Sequence, residues 1–501
     1  MLTTHSHPVS GRRSAAVSIT FVSLLALVLS VVAGPTAQAK GKAAAAQAER
    51  NAAQAYVQEF WPIVLSNEQT TLIAPNNLLG PTKITPVYQS IVAINNDTLY
   101  ASSLVDLRSG DPVIVTIPEA GVDQGYSVLQ LDMTGNVLDG LIPSKSAGSA
   151  QDKTVYALVP PGYSGSVPDG SVRVDMSQQF SVLIFRVDRY VGSADLTAEA
   201  DAFRRSIQLQ PLSEYDPTDA TAGATRILPE AVFSFPFKTV ADELVRTDPI
   251  LALRGLQEGV QSYKMPPLTA RQQQIADDFD GFFGQDGANV TKVNRAAFSR
   301  GARAGHDAII DNYLDNRDGN NWIHFTNMGN WADTDAGALD RSSIAEFLQW
   351  GNGIETAAYY HTFEDEAGKA LTGKRAGGYQ LTFPPGDLPP FERFWSVTAY
   401  TPQAIELIPN PIDKYLVASY TPGLETNPDG STTIHIAQEK PDGVPEANWL
   451  PVSDRDFNVM LRVYGVPADS TVANNTYRPP PVQRCRPHQS ASPGPTGPRG
   501  C

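Results

Sequence analysis

The sequence predicts an α+β protein in which two antiparallel β domains are joined by a helical connector. Short runs rich in β-branched and aromatic residues, separated by Gly, Pro, Asp and Ser, occur in residues 87–192 and again in residues 379–466. The stretch between them has apolar residues at helical spacing instead. The 501 residues are too many for one ordinary core, and a hydrophobic content of 42% suits a globular chain with at least two domains.

The first forty residues predict a cleaved secretory signal peptide. Arg12 and Arg13 precede an uncharged apolar run over residues 15–33, and the small residues AQA follow at residues 37–39. The alternative is a membrane anchor, because the run approaches the roughly 20 residues that span a bilayer. We favour cleavage after residue 39, since the A-x-A site follows at the expected place. The mature protein would then be secreted or otherwise extracytoplasmic.

An N-terminal domain over residues 40–215 is predicted to combine a leading helix with several strands. Residues 43–65 are rich in strong helix formers and lack Gly, so they predict the helix. The predicted strands are VIVTI, YSVLQL, TVYALV, SVRVDM and FSVLIFRV, beginning at residues 113, 126, 154, 171 and 180. Many short strands at this spacing indicate an antiparallel sandwich or barrel. A further helix is expected over residues 195–209.

Residues 216–340 form the predicted helical connector. Its clearest helix lies in residues 292–314, where Phe298, Ala302, Ile309 and Tyr313 recur at spacings near those of a single helical face.

A second β domain is predicted over residues 341–481. Its strands are YQLTF, FWSVTAY, KYLVASY, STTIHIA and FNVMLRVY, and NPDG at residues 427–430 predicts a tight turn. Residues 482–501 are predicted to be a disordered tail. The only two cysteines, Cys485 and Cys501, lie in this tail, where they can pair with each other or remain free. The folded core therefore has no thiol nucleophile.

The formal net charge of −15 argues against two classes of partner. Removal of residues 1–39, which contain two arginines and no acidic residue, changes the charge to −17. Such a surface repels phosphate backbones and anionic lipid head groups, so neither nucleic acid nor a membrane surface is expected as a partner. No later segment is long and apolar enough to span a bilayer. The sequence does not specify the oligomeric state.

Several segments resemble a known pair of families. INNDTLYASSLVDL, residues 94–107, resembles the signature of the domain-of-unknown-function 1254 family. FWSVTAY, NPDGSTTIHI and NWLPVSDRDFNVMLR, beginning at residues 394, 427 and 448, resemble the domain-of-unknown-function 1214 family that usually follows it. The resemblance implies two antiparallel jelly-roll-like β-sandwich domains joined by a helical connector. It implies no reaction, although it places Asp97 and Tyr100 in the signature.

The common catalytic motifs are missing. GKALTGKR at residues 368–375 has the spacing of a phosphate-binding loop, but Arg375 stands where Ser or Thr must reach magnesium. We therefore interpret it as a turn before a strand. The sequence also lacks G-x-S-x-G, H-E-x-x-H and a G-x-G-x-x-G that opens a helix, which argues against an ordinary α/β-hydrolase, a zincin and a dinucleotide-binding protein.

Three histidines are the strongest candidates for chemistry. His306, His324 and His361 fall in the helical stretch between the β regions, and imidazole suits both proton transfer near neutral pH and binding of borderline metals. Glu364 follows His361 by three residues, a spacing that would put both on one helical face. Their convergence would create a metal site or an acid–base pair. The alternative is that each histidine is structural.

Aromatic and charged residues suggest a ligand surface. Trp322 and Trp331 lie in the Asn-rich stretch NNWIHFTNMGNW, and Trp395 could extend a sugar-binding surface. The alternative is that these rings fill the space between two domains. Asp97 lies in NNDT, which fits a cation or catalytic carboxylate but also an ordinary Asx turn. Arg393 lies in a β run, where it would bind a ligand or form a structural ion pair.

Two hypotheses follow. The first is an exported hydrolase-type enzyme that acts on a small molecule or glycan in an interdomain cleft, with one histidine within about 6 Å of a carboxylate. A divalent metal of unspecified identity is its only candidate cofactor. The second is a non-catalytic protein that binds carbohydrate or a cell surface through a row of exposed Trp side chains. The residues assigned to catalysis are His306, His324, His361, Glu364 and Asp97, and those assigned to ligand binding are Trp322, Trp331, Trp395, Tyr100 and Arg393.

Overall fold

The computed structural model describes residues 37–69, 74–138, 141–329 and 331–485. The predicted signal peptide and the predicted tail fall largely outside these ranges, as does Cys501, so these remain predictions. Apart from the start of helix α1, the features described below belong to the compact unit of residues 46–501. This described part is a mixed helix-and-sheet structure, which confirms the predicted combination of α and β, and its sheets do not close into a barrel.

The N-terminal part follows helix α1 (Ala37–Gln69) and contains two main sheets. Its strands are β1 (Leu79–Pro81), β2 (Thr98–Asp106), β3 (Val113–Ile117), β4 (Tyr126–Leu131), β5 (Thr154–Val159), β6 (Val172–Asp175), β7 (Phe180–Asp188), β8 (Tyr190–Val191), β9 (Ala194–Asp195), β10 (Gln208–Pro211) and β11 (Arg226–Leu228), with helix α2 (Thr197–Ser206) before β10. The first sheet has the order β11-β1-β2-β7-β4 and the second β10-β3-β5-β6, while β8 and β9 form a separate pair. The five predicted strands are confirmed, and the helix predicted over residues 195–209 is confirmed as α2.

Strand β7 shows why this sequence forms a central strand. All nine of its residues are buried, and it pairs with β2 on one side and β4 on the other. Leu183, Phe185 and Val187 point into a core shared with the second sheet. Because side chains alternate along a strand, Ile184 and Arg186 lie on the opposite face. Ile184 belongs there to a second core that includes residues of the helices and of the C-terminal part.

Five helices form the connector. They are α3 (Phe237–Thr247), α4 (Pro249–Val260), α5 (Ala270–Phe283), α6 (Arg295–Asp315) and α7 (Asp335–Leu348). The predicted face of α6 is confirmed, because Phe298, Ala302, Ile309 and Tyr313 are all buried.

Two glycines of α6 allow it to cross α1 closely. A Cβ atom on Gly301 would collide with the carbonyl oxygen of Arg50, and one on Gly305 would lie 2.8 Å from that of Gln54. This close approach fixes the position of the residue after Gly305, which is His306.

The C-terminal part contains two more four-stranded sheets. Its strands are β12 (Ala357–Thr362), β13 (Tyr379–Phe383), β14 (Phe394–Tyr400), β15 (Leu416–Ala418), β16 (Thr432–Ala437), β17 (Trp449–Pro451), β18 (Asn458–Tyr464) and β19 (Gln483–Arg484), in the orders β12-β18-β14-β15 and β17-β16-β13-β19. The five predicted strands are present, and at the predicted NPDG turn the Gly430 N–H donates to the Asn427 carbonyl oxygen. Gln483 and Arg484 pair with β13, so the first residues of the predicted tail belong to a sheet.

The two sheets of the C-terminal part enclose a separate core. Ala358 and Tyr360 of β12 face this core, whereas Tyr359 and His361 lie on the other face of the strand. The prediction that His361 and Glu364 share a helical face is therefore wrong, because His361 is in a β-strand.

No helix among residues 37–69, 74–138, 141–329 and 331–485 combines the length and the apolar character needed to cross a membrane. This agrees with the expectation for the mature chain.

Candidate functional site

Four charged side chains from three connector helices converge at one point, and we call them the charged cluster: Lys238, Asp242, His306 and Glu346. Lys238 and Asp242 lie one turn apart on α3, His306 is in the middle of α6, and Glu346 is near the end of α7. The Nε2 atom of His306 lies 3.4 Å from Asp242 Oδ1 and 3.6 Å from Glu346 Oε2. Lys238 Nζ lies 2.8 Å from Asp242 Oδ2 and also contacts Glu346 Oε1.

Aromatic residues enclose the cluster. Trp61 of α1 donates its indole N–H to Glu346 Oε2 at 2.7 Å, and its ring centre lies 4.4 Å from that of His306. The Lys238 ammonium lies 5.6 Å from the centre of the Phe347 ring. Glu346 is completely buried, whereas the Asp242 side chain is 29% exposed. Asp242 is thus the member of the cluster most accessible to a molecule from outside.

The charges of the cluster stabilise one another. Burial alone would lower the pKa of His306, but Glu346 and Asp242 outweigh it and raise the pKa to about 9. Burial alone would raise the pKa of Glu346, but Lys238 and His306 bring it down to about 2. The pKa of Lys238 is raised, because Glu346 and Asp242 outweigh the opposing effect of burial. At neutral pH the cluster therefore holds an ammonium and an imidazolium against two carboxylates.

Two atoms of the cluster are available for further interactions. His306 Nε2 and Asp242 Oδ1 are buried and within ion-pair distance of each other, but neither has a hydrogen-bond partner of good geometry within the described parts of the chain. A buried polar atom without a hydrogen bond is uncommon and calls for an explanation such as a catalytic role.

Two cavities of a size suited to small ligands meet at Asp242. One has a volume of about 390 Å³ and is lined by Lys238, Glu346 and apolar residues, together with Arg317 and Glu364. The other has a volume of about 540 Å³ and is lined by His306 and several charged residues. Both cavities are bounded on one side by residues of the C-terminal part, including Gln403. The cluster therefore lies between the connector helices and the C-terminal part.

Asp242, His306 and Glu346 could bind a divalent metal only after His306 loses a proton and Lys238 moves away. Ligand atoms of Asp242, His306 and Glu346 all lie within 4.8 Å of one another, which is close enough to share one ion. However, a metal binds neutral imidazole, whereas the pKa of His306 is raised to about 9. The Lys238 ammonium also contacts both carboxylates. A metal would have to displace Lys238 and the His306 proton, so the cluster fits an acid–base role better.

The other two candidate histidines have structural surroundings. His361 accepts a hydrogen bond from the Tyr313 hydroxyl at Nδ1 and donates from Nε2 to Asn458 Oδ1, each at 2.7 Å. Burial lowers its pKa to about 3, so it is a neutral core residue. His324 lies 2.9 Å from both the Tyr359 carbonyl oxygen and Asn475 Oδ1. Neither has a carboxylate within ion-pair distance in the described residues, unlike His306.

The candidate acidic residues and Arg393 are engaged elsewhere. Glu364 forms an ion pair with Arg317 at 2.7 Å, at the edge of the smaller cavity. Asp97 is buried and accepts hydrogen bonds from Ser396 Oγ at 2.8 Å and from the Tyr420 hydroxyl. Arg393 forms a buried ion pair with Asp188. The contacts of Asp97 and Arg393 join the N-terminal and C-terminal parts, whereas that of Glu364 joins the C-terminal part to the connector.

The candidate aromatic residues do not form an exposed row. Trp322 and Trp395 are 0% and 1% exposed, so the predicted sugar-binding surface is wrong for these two. Trp322 donates its indole N–H to the Pro480 carbonyl oxygen, and the partly buried Trp331 donates to that of Gly135. Tyr100 is buried too, and it lines a cavity between the two β parts. The rings fill space between packed elements, which was the alternative interpretation.

Sequence reasoning missed Lys238, Asp242 and Glu346. One signal was available: Glu346 is a single acidic residue in the apolar run SSIAEFLQW, where a charge must be paired if the run is buried. Lys238 and Asp242 are four residues apart, which is ordinary for a solvent-exposed ion pair on a helix. Their burial depends on how α3 packs against α7.

Comparison with known families and structures agrees with the sequence motifs. The family model described as "Protein of unknown function (DUF1254)" matches residues 75–211, and the one described as "Protein of unknown function (DUF1214)" matches residues 356–468. No curated protein sequence matches the chain significantly.

Two solved structures are similar. The VPA0106 protein from Vibrio parahaemolyticus is 18% identical, with a TM-score of 0.55 over 87% of this chain and 99% of that one. A putative uncharacterized protein from Burkholderia cenocepacia is 14% identical, with a TM-score of 0.38 over 85% of this chain and 94% of that one. The similarity to the VPA0106 protein shows a shared fold and no more.

Proposed function

We propose that this chain, which belongs to the proteins that pair a DUF1254 domain with a DUF1214 domain, is an acid–base enzyme of the hydrolase type. The observation that carries the proposal is the position of Asp242. Its carboxylate borders two cavities and lies 3.4 Å from an imidazolium that a second, fully buried carboxylate keeps charged. Pairs of titratable groups with opposite roles in a cleft are typical of catalytic sites.

The roles of the four residues follow from their exposure and charge. Asp242, the accessible carboxylate, takes a proton from a water molecule as that water attacks the electrophilic carbon of the substrate. His306 gives its Nε2 proton to the departing group as the bond to that carbon breaks. The proton on Asp242 then passes to His306, restoring both groups. Glu346 and Lys238 do not transfer protons; they hold His306 and Asp242 in place and in their charged forms.

The substrate class follows from the cavities and the predicted location. Cavities of about 390 and 540 Å³ suit a small molecule or a short glycan. The proposal includes two expectations from the sequence: residues 1–39 direct export, and the paired sheets of each β part are jelly-roll-like sandwiches. The non-catalytic glycan-binding alternative has less support, because Trp322 and Trp395 are not available at the surface.

A substrate panel with paired variants tests this function. Chromogenic esters, amides, phosphoesters and glycosides would be incubated with the mature protein and with Asp242→Asn and His306→Gln. We expect hydrolysis of at least one class, and a loss of about 100-fold or more in kcat/KM in each variant, the usual contribution of acid–base catalysis. The matched control is Glu258→Gln, which changes an exposed carboxylate of α4 that lines neither cavity. It should retain activity within about twofold.

Thermal unfolding of each variant separates catalysis from folding. Absence of hydrolysis across the panel, or full activity in folded Asp242→Asn and His306→Gln proteins, would contradict the proposed function.

A further inference from the structure

A second unusual charge lies away from the cluster. Arg186 of β7 is 5% exposed; its Nη1 donates to Asn352 Oδ1 at 3.0 Å, and its guanidinium also interacts with the Tyr100 hydroxyl. Its Nε atom is buried without a partner. No carboxylate lies within ion-pair distance of Arg186 in the described ranges, although its guanidinium carbon is 5.5 Å from the centre of the Tyr100 ring. A buried guanidinium without a counter-charge is energetically unfavourable.

The other buried arginines of the described residues provide the comparison within the same chain. Arg204 pairs with Asp201, Arg341 pairs with Glu59, and Arg393 pairs with Asp188. Arg462, which lines the same cavity as Arg186, is also fully buried, and Asp97 acts on it without forming an ion pair in the described residues. The guanidinium groups of Arg204, Arg341 and Arg393 each have an acidic residue of the protein to balance them. Arg186 lacks one, so its counter-charge is expected to come from outside the chain.

Arg186 borders a cavity between the two β parts. The cavity has a volume of about 40 Å³, and Tyr100 and Arg186 line it from the N-terminal sheet while Tyr359, Arg462 and Tyr464 line it from the C-terminal sheet. A second cavity of about 60 Å³ adjoins it, since both are lined by the same six residues: Tyr88, Ile91, Tyr100, Ser102, Ile184 and Trp350. The second cavity also has walls from Leu79, Leu104 and Phe233, so it is mainly apolar.

Two hydroxyl groups in this cavity have protons to donate. The Tyr464 hydroxyl accepts a hydrogen bond from Asn95 Nδ2 at 2.7 Å, and the Tyr359 hydroxyl accepts from the Asn352 side-chain and backbone N–H groups. In the described residues neither hydroxyl has an acceptor for its own proton. A guanidinium and two phenol O–H groups around one cavity make a donor set suited to a carboxylate.

We propose that Arg186, Tyr359 and Tyr464 bind the carboxylate of a small organic acid whose apolar part occupies the adjoining cavity. A cavity of about 40 Å³ suits a planar carboxylate better than the larger, tetrahedral phosphate group. The limited volume and the apolar walls select a short aliphatic or aromatic monocarboxylate. This site is separate from the charged cluster, so the proposal goes beyond the proposed function and does not depend on it.

Binding of simple carboxylates tests the proposal. Propanoate, butanoate and benzoate would be titrated into the mature protein by calorimetry and by thermal unfolding, with butanamide and inorganic phosphate as matched probes. We expect at least one carboxylate to bind and to raise Tm, while butanamide and phosphate have no effect. Binding of phosphate alone, or of butanamide as well as the acids, would overturn the assignment to a carboxylate.

Two variants identify the site. Arg186→Met should unfold at the same temperature as the unliganded wild-type protein or above it, because an unbalanced buried charge has been removed, and it should lose the carboxylate response. Tyr464→Phe should weaken binding about tenfold, the effect of one lost hydrogen bond to a charged group. The control Arg173→Met removes an exposed guanidinium and should bind normally. An unchanged response in Tyr464→Phe, or in folded Arg186→Met, would overturn the proposal, as would no binding of any acid.

Discussion

The Glu346→Gln variant is expected to lose about 3–5 kcal/mol of unfolding free energy, the usual cost of breaking a buried ion pair by removing one partner. Glu346 contacts Lys238 and His306, and its side chain is 1% exposed. Glutamine keeps the size and one acceptor but removes the charge, so two buried cations would share the single carboxylate of Asp242. Urea denaturation at pH 7 measures the loss.

Two further variants make this prediction specific. Glu243→Gln changes an exposed carboxylate and should alter the unfolding free energy by no more than about 0.5 kcal/mol. Lys238→Met in the Glu346→Gln background removes one of the two cations that lack the Glu346 carboxylate. It should recover part of the lost unfolding free energy. A loss below about 1 kcal/mol in Glu346→Gln would mean that water, rather than the protein, balances these charges.

The Asp97→Asn variant is expected to destabilise the protein by about 1–3 kcal/mol, because a buried group that accepts two hydroxyl hydrogen bonds is replaced by one that leaves a donor unsatisfied. Asp97 is 1% exposed and accepts hydrogen bonds from the hydroxyls of Ser396 and Tyr420. Asparagine has only one side-chain oxygen, so it cannot accept both bonds in the same way. The measurement is again urea denaturation at pH 7.

A matched change on the same strand serves as the control. Asp106 lies at the end of β2 and pairs with the 40% exposed Arg108, so Asp106→Asn should cost at most about 1 kcal/mol. Equal effects of the two Asp→Asn changes would contradict the role of Asp97 as a buried acceptor of two hydroxyl hydrogen bonds. A large difference would explain physically why Asp97 belongs to the signature: it joins the N-terminal part to the C-terminal part through Ser396 and Tyr420.

The local spacing of apolar residues in the sequence is sufficient to predict most of the secondary structure. VIVTI, YSVLQL and TVYALV are strands with the bounds that the sequence predicts, and the apolar face of α6 is the one that its spacing indicates. These successes have a common cause: the period of the apolar residues reports which face is buried. The position of His361 could not be obtained in this way, because strand β12 (AAYYHT) is buried throughout and shows no alternation of apolar and polar residues.

The candidate site depends on contacts that the sequence does not encode locally. A histidine near a carboxylate was expected, and the structure brings His306 to Asp242 and Glu346 rather than to Glu364. Its partners lie on α3 and α7, so only the packing of three helices brings the groups together. The close crossing of α6 and α1 at Gly301 and Gly305 is part of that packing. A glycine spacing within a helix does not identify the helix that will pack against it.

The charge on His306 determines how stability depends on pH. An ordinary histidine has a pKa of 6.5, whereas that of His306 is raised to about 9 in the folded protein. The stabilisation from its ion pairs is therefore fully present below pH 6.5 and is lost as the pH rises through 9. A shift of this size corresponds to at most about 3.4 kcal/mol. Glu346, whose pKa is lowered from 4.5 to about 2, gives stabilisation that is present above pH 4.5 and lost in acid.

The most direct measurement of the central claim is an NMR titration of the His306 imidazole in the folded protein between pH 5 and pH 10, assigned with His306→Gln. The presence of an imidazolium held between Asp242 and Glu346 predicts a midpoint near 9, and a lower midpoint in Glu346→Gln. A midpoint at or below 6.5, or one that Glu346→Gln leaves unchanged, would contradict it.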